Sequence, residues 1–162
     1  MKTLYLLRHA KSSWENADSA DFDRPLNERG LRAAPRVGKK IFDSRFQIDL
    51  IISSPATRAK QTAILIKDAA RIESEINFDE RIYEASPRRL LEVAAEIADD
   101  TETIMLVGHN PGLEGFIKIL TGEIEQMPTA ALAVIDLKIK KWREITSGCG
   151  SLQKLIRPKS LD

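Results

Sequence analysis

The chain contains 162 residues, enough for one domain with a sizeable hydrophobic core. It is 43% hydrophobic and 30% charged with a formal net charge of +1, which excludes a disordered chain and argues against general nucleic-acid binding. The apolar runs are too short for a membrane span, the N-terminus lacks a signal-peptide pattern, and the single cysteine, Cys149, permits no intrachain disulfide, so we expect a cytoplasmic protein.

The first predicted strand ends in an arginine and a histidine. Leu4-Tyr5-Leu6-Leu7 is a run of large apolar residues, which is typical of a strand buried on both faces of a sheet. Arg8 and His9 follow this run directly. Open α/β sheets bind their ligands at the carboxyl ends of such strands, because the loops diverge there. We therefore expect Arg8 and His9 to face a binding crevice.

The middle of the chain alternates between apolar strands and amphipathic helices, which is typical of an α/β protein with a mostly parallel sheet. Capping residues and prolines mark where the helices begin. The predicted elements are a helix capped by Asn27 and kinked or delayed by Pro35, a strand over 48–52, a helix capped by Ser54 with Pro55 in its first turn, a strand over 76–83, a helix that starts at 85–87 and runs through Ala98, a strand over 103–108, and a helix from Asn110 through Leu120.

The C-terminal part of the chain is predicted to complete the sheet. The alternation from Ala133 to Ile139 indicates a strand at a sheet edge that is half open to water, with Trp142 to Ile145 as a candidate antiparallel return. No linker interrupts the chain, so we expect one domain over 1–162. The tail from about Gly148 is expected to be irregular.

The only two histidines, His9 and His109, each follow a strand rich in large apolar residues. If both strands are parallel and central, their carboxyl ends bring the two imidazoles together with Arg8. Arg58 reaches the same crevice from the first turn of the helix that follows the strand over 48–52. Two guanidiniums, helix N-terminal amides and a neutral imidazole can bind a phosphate and attack its phosphorus. This chemistry requires no metal and no cofactor.

Three motifs are spread along the chain in a fixed order. They are Arg8-His9-Ala10, Ser53-Ser54-Pro55 with Arg58, and Gly108-His109-Asn110-Pro111. Together they resemble the histidine phosphatase superfamily, in the branch that includes the cofactor-dependent phosphoglycerate mutases. Three further motifs are similar to the small SixA-type phosphohistidine phosphatases, namely Arg24-Pro25-Leu26 with Gly30, Arg58-Ala59-Lys60-Gln61-Thr62 and Met127-Pro128-Thr129. The resemblance covers about Lys2 to Leu137.

The resemblance implies a fold and a mechanism. The fold is a three-layer α/β/α sandwich with a mostly parallel sheet and an antiparallel edge strand. The mechanism is phosphorylation of His9, with phosphate contacts from Arg8, Arg58 and His109. Mutase activity is disfavoured, because Glu15 aligns with the asparagine of the mutases and the chain has no room for their long insertion.

The same resemblance implies that a carboxylic acid donates a proton to the leaving group. The family usually supplies it from a carboxylic acid after the third strand, where Glu84 is the first candidate and Glu80 the second. SixA-type members tend to lack this acid, since a phosphorylated imidazole is already a good leaving group once its other nitrogen is protonated. A retained Glu84 would extend the substrates toward phosphate esters. Ser12 is a candidate hydrogen-bond donor to the phosphate, with a turn-capping role as the alternative.

The sequence therefore predicts a metal-independent phosphatase that removes phosphate from phosphohistidine in a protein partner. A small-molecule phosphomonoesterase, acting on a sugar phosphate or a similar metabolite, is the alternative with the same site. A noncatalytic phosphate-binding module is disfavoured by the complete set of Arg8, His9, Arg58 and His109. A metal hydrolase is disfavoured because no His-x-x-x-His pattern or carboxylate cluster accompanies the histidines. We expect no nucleic-acid or membrane partner.

Overall fold

The computed structural model describes residues 1–16 and 18–161. In this part of the chain the strands are β1 (Lys2–Arg8), β2 (Leu50–Ser53), β3 (Ile76–Phe78), β4 (Thr103–Gly108), β5 (Leu132–Leu137) and β6 (Gly150–Ile156). The α-helices are α1 (Glu28–Asp43), α2 (Thr57–Ala70), α3 (Pro87–Ala95) and α4 (Gly112–Thr121). Short 3-10 helices occupy Asp21–Asp23, Glu80–Ile82, Trp142–Glu144 and Pro158–Leu161.

The strands form one mixed sheet in the order β3-β2-β4-β1-β5-β6. The first four of these run parallel to one another, whereas β5 is antiparallel to β1 and β6 is antiparallel to β5. The carboxyl ends of the parallel strands consequently lie along one edge of the sheet. Arg8 pairs with Gly108 at this edge, which sets the residues that follow β1 and β4 side by side.

Helices cover both faces of the sheet. Leu4 and Leu6 of β1 pack in one core with α3 and α4, whereas Tyr5 and Leu7 pack in a second core with α1 and α2. This alternation follows from the two-residue period of a strand. Each fully buried leucine contributes about 1.5–3 kcal/mol to folding. The predicted three-layer α/β/α sandwich is therefore confirmed. In the described residues, no helix is both long and apolar enough to cross a membrane.

The C-terminal part of the chain differs from the prediction. β5 is not an edge strand, because β1 and β6 flank it and both of its faces are mostly buried. The segment after Gly148, which the sequence predicts to be irregular, contains β6, the antiparallel edge strand. Its pairing with β5 skips Gln153, and this bulge interrupts the alternation that would reveal a strand. Trp142 begins a 3-10 helix and not a returning strand, and its indole nitrogen donates to the Thr101 carbonyl at 2.7 Å.

Several predicted boundaries also shift. α1 begins after its predicted cap, Asn27, whose side chain accepts from the Gly30 amide at 2.9 Å, and the helix continues past Pro35. β3 is shorter than the predicted strand, because the Asp79 carboxylate accepts from the Arg81 amide and starts a 3-10 turn. α2 begins at Thr57, later than its pattern indicates. α3 ends at Ala95, earlier than its pattern indicates.

Candidate active site

The structure brings both histidines to the carboxyl edge of the central parallel strands. The ring centroids of His9 and His109 are 5.1 Å apart, and the rings are tilted by 51°. The His9 amide donates to the Gly108 carbonyl at 3.1 Å, so the backbone holds the two strand ends together. The fold therefore places two residues side by side that are 100 positions apart in the sequence.

His9 has a defined protonation pattern. Its Nδ1 lies 2.8 Å from the Ala10 carbonyl, which can only accept, so Nδ1 carries the proton and Nε2 keeps its lone pair in the neutral ring. Burial, together with the guanidiniums of Arg58 and Arg8, lowers the pKa of His9 to about 4. The ring is thus neutral at neutral pH and available as a nucleophile. The Ala10 amide donates to Thr62 Oγ1 at 3.0 Å, which secures the loop that carries this carbonyl.

His109 is held by a serine that the sequence suggested as a helix cap. His109 Nε2 lies 2.8 Å from Ser54 Oγ, and this oxygen also accepts from the Ala56 amide at 3.2 Å. Ser54 Oγ can donate its hydroxyl proton to Nε2, and in that tautomer the imidazole proton is on Nδ1. Burial lowers the pKa of His109 to about 3, and repulsion from the neighbouring His9 ring when it is protonated and from Arg58 acts in the same direction. Neutral His109 is then a hydrogen-bond donor through Nδ1.

Arg58 reaches the crevice from the first turn of α2 and is buried. Its Nη1 donates to the Asp21 carbonyl at 2.7 Å, and its Nη2 donates to Asp21 Oδ2 at 3.1 Å. The Tyr83 hydroxyl donates to the same Oδ2 at 2.6 Å. The hydrogen bond from Tyr83 is the main cause that lowers the pKa of Asp21 to about 2, and the charge of Arg58 adds to this effect. The same hydrogen bond raises the pKa of Tyr83 to about 12. Asp21 is thus an anion that orients Arg58.

Arg24 extends this network toward the loop after β1. Its Nε and Nη2 donate to Asp21 Oδ1 at 3.2 and 3.1 Å, and its Nη1 donates to Ser12 Oγ at 2.8 Å. The guanidinium also lies 3.5 Å from the centroid of the Trp14 ring, a cation–π arrangement. Ser12 is buried and accepts from Arg24, so the structure places it as a support for that guanidinium.

Arg8 borders the crevice on the side of β5. Its Nη1 donates to the Met127 carbonyl at 3.0 Å. Glu114 Oε2 accepts from the Met127 amide at 2.8 Å and from Asn110 Nδ2 at 2.7 Å, which fixes the loop that Arg8 contacts. Burial lowers the pKa of Arg8, and the charge of Arg58 contributes in the same direction.

Three buried side-chain nitrogens have no hydrogen-bond partner among residues 1–16 and 18–161. They are Arg8 Nε, Arg58 Nε and His109 Nδ1. An unsatisfied buried donor costs about 1–3 kcal/mol, so three of them in one site are unusual in a folded protein. All three belong to residues that the sequence assigned to phosphate binding. The donor set suits an oxyanion bound beside His9.

The two candidate acids occupy the rim. Glu84 directly follows Tyr83 in a left-handed backbone conformation with φ of 55°, and its side chain is exposed. Its charge helps to raise the pKa of Tyr83, whose ring packs edge-on against His109 with centroids 5.6 Å apart. Glu80 is exposed in the 3-10 helix before Tyr83. Neither carboxylate forms a hydrogen bond or a salt bridge with a described residue.

Sequence reasoning missed the residues that support the phosphate-binding groups. Asp21 lies in a polar, aperiodic loop, and nothing in its local pattern marks it. Arg24 belongs to a family motif, but the sequence indicates no role for it. Tyr83 is marked only by its position next to Glu84. Within the described part of the chain, no group of three His, Cys, Asp or Glu side chains is placed to hold a metal ion.

A family model described as the histidine phosphatase superfamily (branch 1) matches residues 4–87. The chain belongs to this superfamily. An uncharacterized protein of Mycobacterium tuberculosis is 30% identical over 157 residues, which span 90% of this chain and 96% of the relative. The segment matched by the family model, residues 4–87, contains Arg8, His9, Arg58 and Glu84, and His109 lies beyond it.

Solved structures place the chain in the SixA type of this superfamily. SixA of Agrobacterium tumefaciens, a candidate phosphohistidine phosphatase, has a TM-score of 0.84 and 32% identity, with 97% of this chain and 98% of that chain covered. A protein histidine phosphatase SixA complexed with tungstate has a TM-score of 0.80 and 18% identity with 99% of both chains covered, which shows the same fold. The chain therefore has a histidine-phosphatase-type function and acts on a phosphorylated substrate.

Proposed function

We propose that this protein removes phosphate from phosphohistidine in a protein partner through a phosphorylated His9 intermediate. The observation that carries the proposal is the free Nε2 lone pair of neutral His9 beside three buried, unpartnered donors. A SixA structure of the same fold is complexed with tungstate, an oxyanion shaped like phosphate, which supports the binding of a phosphoryl group by this chain.

In the first step His9 Nε2 attacks the phosphorus, and the bond between phosphorus and the substrate nitrogen breaks. The electron pair of that bond leaves with the substrate imidazole. Arg8, Arg58 and the Nδ1 proton of His109 donate to the nonbridging oxygens, whose charge must be stabilised in the transition state. The Ala10 carbonyl accepts from His9 Nδ1 and stabilises the positive charge that develops on the ring.

In the second step a water molecule attacks the phosphorus of phosphorylated His9. Because Nδ1 retains its proton, the ring departs as neutral imidazole and needs no additional acid. The water oxygen becomes the fourth oxygen of inorganic phosphate, and its proton passes to a phosphate oxygen or to solvent. The site then returns to the state described above, with a lone pair on Nε2.

The leaving group distinguishes the two substrate classes. The imidazole of a substrate phosphohistidine departs as a neutral ring when its other nitrogen is protonated, whereas an alkoxide from a phosphate ester needs a proton from the enzyme. The exposed Glu84 carboxylate contacts none of the groups around His9 through a hydrogen bond. This arrangement supports phosphohistidine as the substrate.

A small-molecule phosphomonoesterase is the second candidate, and the observation in its favour is that the chain has a carboxylic acid, Glu84, at the rim. Glu84 adjoins Tyr83, which packs on His109, so an acid at the rim can approach the leaving oxygen of a bound ester. We propose this proton-donating role for Glu84 on esters only. We propose that Ser12 assists phosphate binding indirectly, because its hydroxyl oxygen accepts a hydrogen bond from Arg24.

A panel of substrates tests the proposal. Wild-type protein is assayed for phosphate release from a histidine-phosphorylated protein, phosphoserine, phosphotyrosine and several sugar phosphates. The proposal predicts the highest kcat/KM for the phosphohistidine protein. Higher kcat/KM for a sugar phosphate would assign the chain to the second candidate, and binding of phosphate without turnover of any substrate would contradict both.

A further inference from the structure

A second concave surface opens beside the catalytic crevice. Its volume is about 700 Å³, and its lining includes Arg8 but neither histidine. The walls are the exposed face of α1, the loop over 126–129 and the segment over 157–159 that follows β6. We call this surface the basic groove. Its cationic residues beyond Arg8 are Lys11, Arg29, Arg32, Arg36, Arg157 and Lys159.

Positive charges outnumber negative charges among the described residues that line the basic groove. Their one carboxylate, Glu114, accepts hydrogen bonds from the Asn110 side-chain amide and the Met127 backbone amide. Lys11, Arg29 and Lys159 form no salt bridge with a described residue. A concave surface with an excess of one sign of charge concentrates the electric field and attracts the opposite charge.

Two ion pairs of the groove are weak. Arg32 lies 4.0 Å from Glu28, and Arg157 lies 3.4 Å from Glu125, with every partner at least one-third exposed. Exposed pairs of this kind contribute about 0–1 kcal/mol. An incoming anion therefore displaces little when it binds these guanidiniums.

The local structure explains why the cations form a row. Arg29, Arg32 and Arg36 are spaced by three and four residues, so they share one face of α1 and extend for about 10 Å along its axis. Gly30 lets the helix begin directly against the loop after β1, since a Cβ atom there would lie 2.2 Å from the Lys11 carbonyl oxygen. Lys11 consequently adjoins the start of the row.

We propose that the basic groove docks an acidic segment of the phosphorylated protein substrate; this inference rests on the proposed function. The row is longer than one phosphate group, and its side chains are exposed. It matches several carboxylates along a peptide better than a single compact anion. Arg8 borders both the groove and the phosphoryl site, so a segment seated in the groove would hold its phosphohistidine next to His9.

Two matched peptides test the proposal. One carries phosphohistidine followed by four glutamates, and the other carries glutamines at those four positions. At low ionic strength, wild-type kcat/KM is expected to be about tenfold higher for the glutamate peptide, mainly through KM, and this preference is expected to disappear in high salt. Equal kcat/KM for the two peptides would overturn the proposal.

Paired variants assign the preference to the groove. Arg29→Gln with Arg32→Gln removes two groove cations, and Lys138→Gln with Lys140→Gln removes two exposed cations at the opposite end of the sheet. The groove variant is expected to lose the preference for glutamate and to keep the wild-type kcat/KM for the glutamine peptide, whereas the control pair keeps both. Equal losses on both peptides would place the groove in general phosphate binding and overturn the proposal.

Binding of unphosphorylated peptides separates this inference from the proposed function. Groove-dependent binding of the glutamate peptide without turnover of either phosphopeptide would contradict the phosphohistidine substrate and leave the acidic ligand in place. Failure of the groove variant to weaken that binding would contradict the docking surface alone. Inorganic tripolyphosphate that binds the groove more tightly than the glutamate peptide would reassign it to a small polyanion and overturn the proposal.

Discussion

The two sides of the crevice are built by different kinds of interaction. On the strand side, Arg8, His9 and His109 are placed by the backbone, because they end or follow two paired parallel strands. On the loop side, Asp21 and Tyr83 are placed by side-chain hydrogen bonds between short 3-10 segments. The strand side supplies the nucleophile and its neighbour, and the loop side orients a guanidinium.

Arg58 links the two sides. Its two terminal nitrogens donate to Asp21, while its Nε has no partner among the described residues. A phosphoryl group that binds Arg58 therefore meets a guanidinium already oriented by a carboxylate that is partly open to solvent. Changes on the strand side should abolish the reaction, and changes on the loop side should weaken it.

The largest effect is expected from His9→Ala. Loss of the nucleophile removes the covalent pathway, so kcat should fall by at least about 10⁴-fold. The acid-labile phosphate label, measured with radioactive substrate, should disappear while circular dichroism shows an unchanged fold. A label that persists in this variant would show that another residue is phosphorylated.

Arg58→Met should have the next largest effect. The change removes a charge that donates to the phosphoryl oxygens, and kcat/KM should decrease by about 10²–10³-fold. Lys60→Met on the exposed face of the same helix is the matched control and should retain wild-type kcat/KM. Similar losses in both variants would mean that the change in α2, and not the lost guanidinium, is responsible.

Asp21→Asn tests the loop side directly. The asparagine keeps the size of the side chain but loses the charge that orients Arg58, so kcat/KM should fall by about tenfold. The pKa of Tyr83, followed by ultraviolet absorbance, should fall from about 12 toward its ordinary value because its hydrogen bond to a carboxylate is lost.

The neighbouring Asp23 provides the control for this experiment. It lies in the same 3-10 helix and its side chain is exposed. Asp23→Asn should change neither kcat/KM nor the pKa of Tyr83. An unchanged Tyr83 titration in Asp21→Asn would contradict the assigned hydrogen bond even if activity fell.

The difference between the two sides also determines what could be predicted from the sequence. His9 and His109 could be placed together because apolar runs identify their strands and parallel pairing aligns the strand ends. Asp21 could not be placed, since its position depends on donors from Arg58 and Tyr83, which are distant from it in sequence and share no period with it. The same limit applies to β6, where a bulge interrupts the alternation.

The protonation of the two histidines should change little near neutral pH. The pKa values of His9 and His109 lie at about 4 and 3, below the ordinary value of 6.5, so both rings stay neutral at pH 6. NMR titration should give both midpoints well below 6.5, with His109→Gln used to assign the signals. A midpoint near 6.5 for either ring would contradict its burial among the guanidiniums.

The same shifts define the sign of the effect on stability. Because the folded pKa values are lower than the unfolded ones, the unfolded state binds more protons on acidification. The contribution of the neutral rings to the free energy of unfolding is complete above about pH 6.5 and is lost as the pH falls toward 4. The free energy of unfolding of wild type minus that of His9→Ala, measured by urea titration, should therefore decrease as the pH is lowered through this range.

Glu84→Gln should have the smallest effect on the proposed substrate. A phosphorylated imidazole leaves as a neutral ring, so kcat for the phosphohistidine protein should change by less than about threefold, whereas turnover of a sugar phosphate should fall by about 10²-fold. Glu80→Gln, a change of the same kind at an exposed position before Tyr83, should alter neither reaction. A large loss on phosphohistidine in Glu84→Gln would show that the leaving imidazole requires an acid, and the rim would then belong to the catalytic machinery for both substrate classes.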